Sequence, residues 1–505
     1  MATVVRDLMS SPPLICGPQT SLAEAARRMG EAETGSVVVT ERAKVAGIIT
    51  ERDLLRAAAA EADPATEPVH LWMTPNPDAL GPDEEASAAW SSLSHHHYRH
   101  LPVVERGVLV GVVSMRDLFA VASLRPAGET GAEVPRGLEG VVVAETGVGD
   151  VRGLEGFYHY RQYSAVELAR TRTLEDAWYL LFGGRLPGPD EAEDFSDRVA
   201  ARRGLPKGLA ALLPALADGG PPLDVLRTAV SLLGTELAWS PTHDLDQEAV
   251  RVQALGLCAV VPTILCAAHR LRQGTAPVAP RADLSFAANY LWMLTGVEPQ
   301  PAHARAVEQY MMLTIDHGFN ASTFTARVIT STGADLAAAV CGAIGALSGP
   351  LHGGAPSRAL DMLDAIGSPD RAEPWLREAV ARGDRIMGFG HRVYKTDDPR
   401  SLFLRDVARS LGGPLVDFAV DVERTAVEVL GELKPGRRLY TNVEFFAGVV
   451  MQTCGIPREM FTPTFAASRT IGWATHVIEQ AADNRLIRPT ARYVGPPPPQ
   501  PVPAA

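Results

Sequence analysis

Two different spacings of apolar and polar residues divide this 505-residue chain. In the first 124 residues, short β-branched runs come in pairs: SVVVT then VAGIIT, and LPVV then LVGVVS. Such runs predict strands. A stretch of helical spacing precedes each pair (AEAARRM; EEASAAWSSL), and a Thr/Ser-x-x-Asp that opens another helix follows it. The pattern recurs at an offset of 64 residues: Met9 matches Met73, Gly17-Pro18 match Gly81-Pro82, and GIITERDL matches GVVSMRDL. Tandem copies predict a unit that packs against its own duplicate.

From about 137 to 490 strand-like runs become rare. Ala/Leu-rich stretches with helical spacing take over, among them AVELARTRTLEDAWYLLF, HARAVEQYMMLTIDHGF and GADLAAAVCGAIGAL, so this part is predicted mostly α. Residues 125–136, RPAGETGAEVPR, have the composition of a linker, and the tail GPPPPQPVPAA that of an extended polyproline segment.

Composition narrows the function classes. Hydrophobic residues make up 46% and charged ones 21%, the balance of a globular chain with core enough for two or three domains. The net charge of −12 argues against nucleic acid as a partner. Cys16, Cys258, Cys266, Cys341 and Cys454 are scattered with no CxxC, and read as buried thiols of a reducing compartment. MATVVRDLMSS has no long apolar core, and no run of about 18 apolar residues suggests a membrane span. The expectation is a cytoplasmic protein without membrane contact.

Three glycine- and proline-marked segments carry candidate chemistry. GPLHGGAPSRA places His352 among glycines, which let a ligand approach the backbone. MGFGHRVYKTDDPR places His391 behind a second glycine pair, nine residues before Arg400. LYTNVEFFAG sets Glu444 between Val443 and Phe445, where partial desolvation would raise its pKa and suit it to general-base work. Arg469 and Arg488 add guanidinium groups, which grip carboxylates in bidentate fashion. Each residue alone has a plain structural use, as a turn, a satisfied core acid or a solvated surface cation. Together, two imidazoles, one carboxylate and several arginines fit proton abstraction beside a carbonyl on a small di- or tricarboxylate substrate.

In this order, GPLHGGA, GFGHRVYKxxDPR, NVxF and SRxxGWxxHxxEQ, together with HGFNASTFTARV at 317–328, resemble the citrate synthase family. The resemblance implies a nearly all-α homodimer whose large and small domains close over oxaloacetate before acetyl-CoA binds. His352 would hydrogen-bond the thioester oxygen, His391 would polarise the ketone of oxaloacetate, and Glu444 stands at the position of the base. His317, Arg400 and Arg469 would hold oxaloacetate, Arg488 would reach in from the partner subunit, and Lys395 would contact coenzyme A phosphates. One departure stands out: the family usually has Asp where this chain has Glu444, one methylene longer. A branch of the family also carries NVEF.

The repeat resembles the CBS domain, through GIITERDLL, GVVSMRDLF and YRHLPVV. That likeness implies that Thr50, Asp53, Ser114 and Asp117 hold the ribose of an adenine nucleotide, although Thr-x-x-Asp is also a helix cap. The run His95-His96-His97 with His100 invites a metal reading, but adjacent helical residues point apart, so no metal site is assigned. No P-loop, GxSxG or HExxH occurs, and GVGDVRG has the wrong spacing for a dinucleotide fingerprint. The expected fold is multidomain: a mostly all-α citrate synthase fold with large and small helical domains, preceded by an α+β tandem CBS module. The expected boundaries are 5–124 for the CBS pair (about 5–60 and 69–124), 125–136 for the linker, 137–490 for the citrate synthase domain (small domain roughly 354–455) and 491–505 for the tail. The expected activity is condensation of acetyl-CoA with oxaloacetate, with no cofactor required. The alternatives are 2-methylcitrate synthesis from propionyl-CoA and a non-catalytic adenylate sensor on the same scaffold.

Overall fold

The duplicated runs fold as two antiparallel hairpins, as seen in a computed structural model. The structure describes residues 4–32, 34–42, 44–60, 62–86, 89, 100–114, 117, 136–138, 140–350, 352, 355–391, 393–394, 396–434, 439–496, 498–499 and 502. In the first copy β1 (Ile15–Cys16), β2 (Ser36–Glu41), β3 (Lys44–Thr50) and β4 (Thr74–Pro75) form one sheet in that order. In the second, β5 (His100–Glu105) pairs with β6 (Val108–Ser114). The register slips after Val39 in one hairpin and after Val103 in the other, so the duplication extends to the bulge. Alternation puts Val37, Val39 and Ile49 in the first core, against Leu22 and Met29 of α1 (Leu22–Glu31). The corresponding Leu101, Val103 and Val113 lie in the second core, with Val5. Thr50 opens α2 (Glu51–Ala59) as its N-cap. The stretch EEASAAWSSL falls mostly outside the described residues, and the linker 125–136 almost wholly.

Contacts divide the chain into Met1–Glu139 with Thr490–Ala505, and Gly140–Pro489. The second unit starts with a small sheet of β7 (Gly149–Arg152), β8 (Phe157–Tyr160) and β9 (Tyr163–Ser164). The helical reading of the sequence did not predict this sheet, and GVGDVRG contributes its first strand. Helices follow: α3 (Ala165–Thr171), α4 (Leu174–Gly183), α5 (Pro189–Ala200), α6 (Lys207–Asp218), α7 (Pro222–Glu236), α8 (Gln247–Arg272), α9 (Phe286–Thr295), α10 (Pro301–Thr314), α11 (Ala321–Ser331), α12 (Leu336–Leu347), α13 (Ala355–Ile366), α14 (Pro369–Arg382), α15 (Pro399–Leu411), α16 (Pro414–Leu433), α17 (Val443–Thr453) and α18 (Phe461–Ala482). AVELARTRTLEDAWYLLF is two helices, because Thr173 and Asp176 form a capping box that starts α4 anew.

Two long helices run through the core. In α18 nearly every residue from Phe461 to Ile478 is buried, and it packs on α8, α10, α11 and α12. By length and hydropathy α8 could cross a bilayer, unlike any segment expected from the sequence, but its residues from Ala254 to His269 are almost all buried inside this unit. All five cysteines are free, and only Cys341 is not fully buried.

Candidate active site

A cavity of about 380 Å³ in the helical unit brings together six of the residues singled out in the sequence: His317, His352, His391, Arg400, Glu444 and Arg469. The Gly-Phe-Gly turn explains how His391 arrives there. Gly388 and Gly390 have φ of +80° and +82°, values at which any side chain is strained. The turn is stitched to the chain before α17: Asn442 N–H donates to Gly388 O (2.8 Å), and Gly390 N–H to Tyr440 O (2.8 Å). A Cβ on Gly388 would meet Phe445 at 2.9 Å. His391 is thereby laid beside the first turn of α17, where Glu444 stands.

The His391 ring is oriented by backbone. Its Nδ1 accepts N–H bonds from Val393 and Tyr394, both at 3.0 Å. In the neutral ring this assigns the proton to Nε2. Nε2 lies 3.2 Å from Arg400 Nη2, so the ring and the guanidinium meet at one point of the cavity wall.

Asp398 fixes Arg400. Its carboxylate accepts from Arg400 Nε (3.0 Å) and Nη2 (2.8 Å), from the Arg400 N–H (3.0 Å) and from the Val443 N–H (3.0 Å). One buried side chain therefore joins the N-termini of α15 and α17. Burial works against its charge, but the guanidinium and these hydrogen bonds outweigh it and hold the carboxyl below its usual range. Arg469, on α18, is 2% exposed, donates from Nε to Thr314 O (2.8 Å) and stacks over Phe465.

Glu444 is in the opposite situation. Asn442 caps the helix by accepting the Glu444 N–H, but no hydrogen bond reaches the Glu444 carboxylate among the described residues. Burial pushes it up to about 7, with Asp398 adding to the rise and Arg400 and Arg358 opposing it.

His317 donates to or accepts from Tyr394 OH at 3.0 Å. Its pKa falls well below the ordinary value, first through burial and then through Arg400 and Arg469. Close approach of α18 to its loop is possible because residue 472 is glycine; a Cβ there would strike Ile315 O. His352 Nε2 shares a hydrogen bond of 2.8 Å with Ser322 Oγ, whose direction depends on the ring tautomer, and the same Oγ accepts from Trp473 Nε1 (3.1 Å). Burial and Arg469 lower His352 to about 4. Both rings are neutral at physiological pH.

Arg488 is exposed and outside the cavity, and Lys395 lies outside the described residues. In SRxxGWxxHxxEQ only Arg469 lines the cavity: His476 pairs with Asp316 (3.3 Å), and Glu479 and Gln480 hold Arg327 (2.5 and 2.9 Å), bracing the His317 loop. Tyr310, Tyr394, Ser322 and Asp398 were not singled out from sequence. HGFNASTFTARV and YKTDDPR contain all but Tyr310, which an aromatic on the helix before His317 could have suggested.

Of the four residues read as ribose ligands in the repeat, Ser114 and Asp117 line a cavity of about 980 Å³, whereas Thr50 and Asp53 do not. His100 lines it too; His95, His96 and His97 lie outside the described residues. No cluster that could hold a metal ion occurs among the described residues.

Residues 137–490 match the family model described as citrate synthase, C-terminal domain, and 5–60 and 69–123 each match the CBS domain. The citrate synthase of Synechocystis sp. is 37% identical over 364 residues, 71% of this chain and 90% of its own length. That of Haloferax volcanii is 41% identical over 367 residues, covering 72% and 96%. A 2-methylcitrate synthase of Mycobacterium tuberculosis is 39% identical over 388 residues, covering 76% and 96%. Among solved structures, the citrate synthase of Thermotoga maritima MSB8 aligns with a TM-score of 0.65 at 37% identity, over 74% of this chain and 98% of that one. The Thermoplasma acidophilum enzyme, in ternary complex with carboxymethyl coenzyme A and oxaloacetate, gives 0.68 at 28%, with the same coverage.

Proposed function

The chain belongs to the citrate synthase family, and we propose that it condenses acetyl-CoA with oxaloacetate and hydrolyses citryl-CoA to citrate and CoA. The observation that carries this reading is the pairing, in one cavity, of a carboxyl raised to about 7 with two buried arginines and three imidazoles. Arg400 and Arg469 grip the carboxylates of oxaloacetate, and His391 Nε2–H donates to its ketone, raising the positive charge on the carbon to be attacked. Glu444, with a pKa of about 7 and bound by no donor among the described residues, removes a proton from the acetyl methyl when ionised. His352, neutral, donates to the thioester oxygen as the enolate forms.

That last role sets a condition on Ser322. For His352 to donate from Nδ1, its Nε2 must accept, so Ser322 must give it the hydroxyl proton. Asn320 Oδ1, 2.8 Å from the same hydroxyl, competes for that proton. Substrate binding that favours the His352 partner therefore switches on the electrophile. Water attack on the thioester completes the cycle. Glu is longer than Asp, and the fixed start of α17 carries its carboxylate about one methylene further into the cavity.

Lys395 contacts the CoA phosphates and Arg488 completes the site of a partner subunit in a cytoplasmic homodimer. The small domain, roughly 354–455, closes after oxaloacetate binds. An adenine nucleotide at the CBS pair regulates turnover. A thiol-release assay with oxaloacetate tests the reading: acetyl-CoA should be turned over faster than propionyl-CoA. The reverse preference would make the enzyme a 2-methylcitrate synthase, an activity carried by a relative of 39% identity. No thiol release with either ester would leave the non-catalytic sensor, which the Glu444 departure favours.

A further inference from the structure

Among the described residues, Tyr158, Tyr160, Tyr290, Tyr310 and Tyr394 are buried. All but one have the hydroxyl engaged. Tyr158 donates to Leu313 O (3.2 Å), and Tyr160 to Met312 O (2.8 Å) and Asp316 O (3.2 Å). Tyr290 shares a bond with Thr464 Oγ1 (2.7 Å), and Tyr394 with His317 Nε2 (3.0 Å). Tyr310 is the exception. It is 1% exposed, yet its hydroxyl has no hydrogen-bond partner among the described residues and opens on the cavity that holds Glu444. A buried hydroxyl of that kind is costly unless something polar reaches it.

The end of α10 sets its surroundings. This helix packs on α15, α17 and α18, which carry Arg400, Glu444 and Arg469. Thr314, one turn beyond Tyr310, also lines the cavity, but its Oγ1 turns back to donate to Tyr310 O (2.9 Å). The phenol is thus the free donor of this turn. Thr314 O accepts from Arg469 Nε (2.8 Å), and the two terminal nitrogens of Arg469 have no hydrogen-bond partner among the described residues. Burial pushes the phenol's pKa up; Arg469 and Arg400 oppose the rise, and Glu444 adds to it. The group therefore keeps its proton near neutrality and is a neutral donor.

An acceptor is missing. Of the charged groups that act on the phenol, the two guanidiniums have no acceptor atom. Glu444 has one, but no hydrogen bond joins it to Tyr310 among the described residues. A ligand acceptor that meets two guanidiniums and a phenol together is a carboxylate.

From this convergence we infer that Tyr310 is a further substrate-binding residue: its O–H donates to the oxaloacetate carboxylate that Arg469 holds, and not to Glu444. The inference rests on the reading of the cavity as an oxaloacetate site, and adds to it a neutral donor that leaves the base free.

Tyr310→Phe in the full chain tests it, by calorimetric titration with oxaloacetate and by steady-state thiol release. The variant should bind oxaloacetate about tenfold to a hundredfold more weakly, the scale of a hydrogen bond to a charged group, with KM for oxaloacetate raised to match and kcat falling far less. Without ligand it should not melt lower than wild type, because no bond is lost; Tyr160→Phe, which loses its bonds to Met312 O and Asp316 O, should. The acid limb of kcat/KM should stay where it is in wild type. A phenol that donated to Glu444 would lower the carboxyl's pKa, so its removal would move that limb up. An upward shift, an unchanged affinity for oxaloacetate, or a loss confined to kcat would overturn the inference and leave the condensation reading standing. A wild-type chain that binds oxaloacetate more tightly than Tyr310→Phe but releases no thiol would keep the inference and end that reading. Failure of the wild-type chain to bind oxaloacetate would overturn both.

Discussion

Asp398 and Glu444 make an instructive pair. Both stand at helix N-termini, Asp398 as the cap of α15 and Glu444 in the first turn of α17. Both lose water, and both feel Arg400. One is held ionised and the other is pushed up to about 7. Burial is common to them, so it does not decide the outcome. The closeness of the cation does: Asp398 is ion-paired with Arg400 at 2.8 Å and hydrogen-bonded to it, whereas Glu444 feels it only at a distance. Asp398 accepts four, three of them from Arg400 and one from Val443, and each favours the charged form. The Glu444 carboxylate accepts none among the described residues. The site therefore sets a fixed anion, buried behind Arg400, against one on the cavity wall that can take a proton, built from the same functional group.

The sharpest way to break this contrast is to remove each charge in turn. Glu444→Gln should lower kcat by about a thousandfold with oxaloacetate affinity retained, because a positioned base contributes on that scale. Turnover near wild type would end its assignment as the base. Glu444→Asp should be intermediate, since the shorter arm withdraws the oxygen from the methyl. Asp398→Asn should cost less, about a hundredfold in kcat/KM, through a raised KM for oxaloacetate: Arg400 keeps its charge but loses the partner that aims it. Equal losses in kcat for both variants, with KM unchanged, would mean that the two carboxylates do not divide their roles.

The pH profile sharpens the same point. A base must be ionised to act, so kcat/KM should rise with pH and level off above about 7, falling about tenfold for each unit below it. His352, lowered to about 4, is already neutral throughout and adds no second limb near neutrality. A profile flat from pH 5.5 to 8 would show that Glu444 is not raised in the working enzyme.

How much of this could be read from the chain depends on the kind of interaction. The glycine-flanked histidines, the arginines and Glu444 were legible because each chemistry-bearing residue sits in a local pattern with few structural uses. The helical body was legible from spacing. The small sheet β7–β9 was not, because its strands are four residues or fewer and too short to show a period. The organising role of Asp398 was hidden for a different reason: its bond to Val443 spans 45 residues, and nothing local marks that partner. In the repeat, Thr50/Asp53 and Ser114/Asp117 read as equivalent because the motif is the same. What the motif does not show is a partner outside it: Asp53 pairs with Arg56, three residues on, at 3.0 Å.

The smallest expected effect is on stability, and its sign distinguishes the two carboxyls. Asp398 has a folded pKa below its unfolded one, so its ionisation supports the fold above pH 4 and that support is lost as pH falls. Glu444 has a folded pKa of about 7 against 4.5. Between these values the folded state holds a proton that the unfolded chain has released, so stability falls as pH rises through the window and the full penalty persists above it. Part of the carboxyl opens on the cavity, which reduces the cost to about 1 kcal/mol. Glu444→Gln should therefore melt about 1–2 °C higher than wild type at pH 8 and at the same temperature at pH 4.5. Asp398→Asn should melt lower at pH 8, because it leaves Arg400 buried without its counter-charge. A Glu444→Gln variant that melts lower at pH 8 would mean that its carboxylate is held by a partner in the folded enzyme, and the contrast between the two acids would disappear.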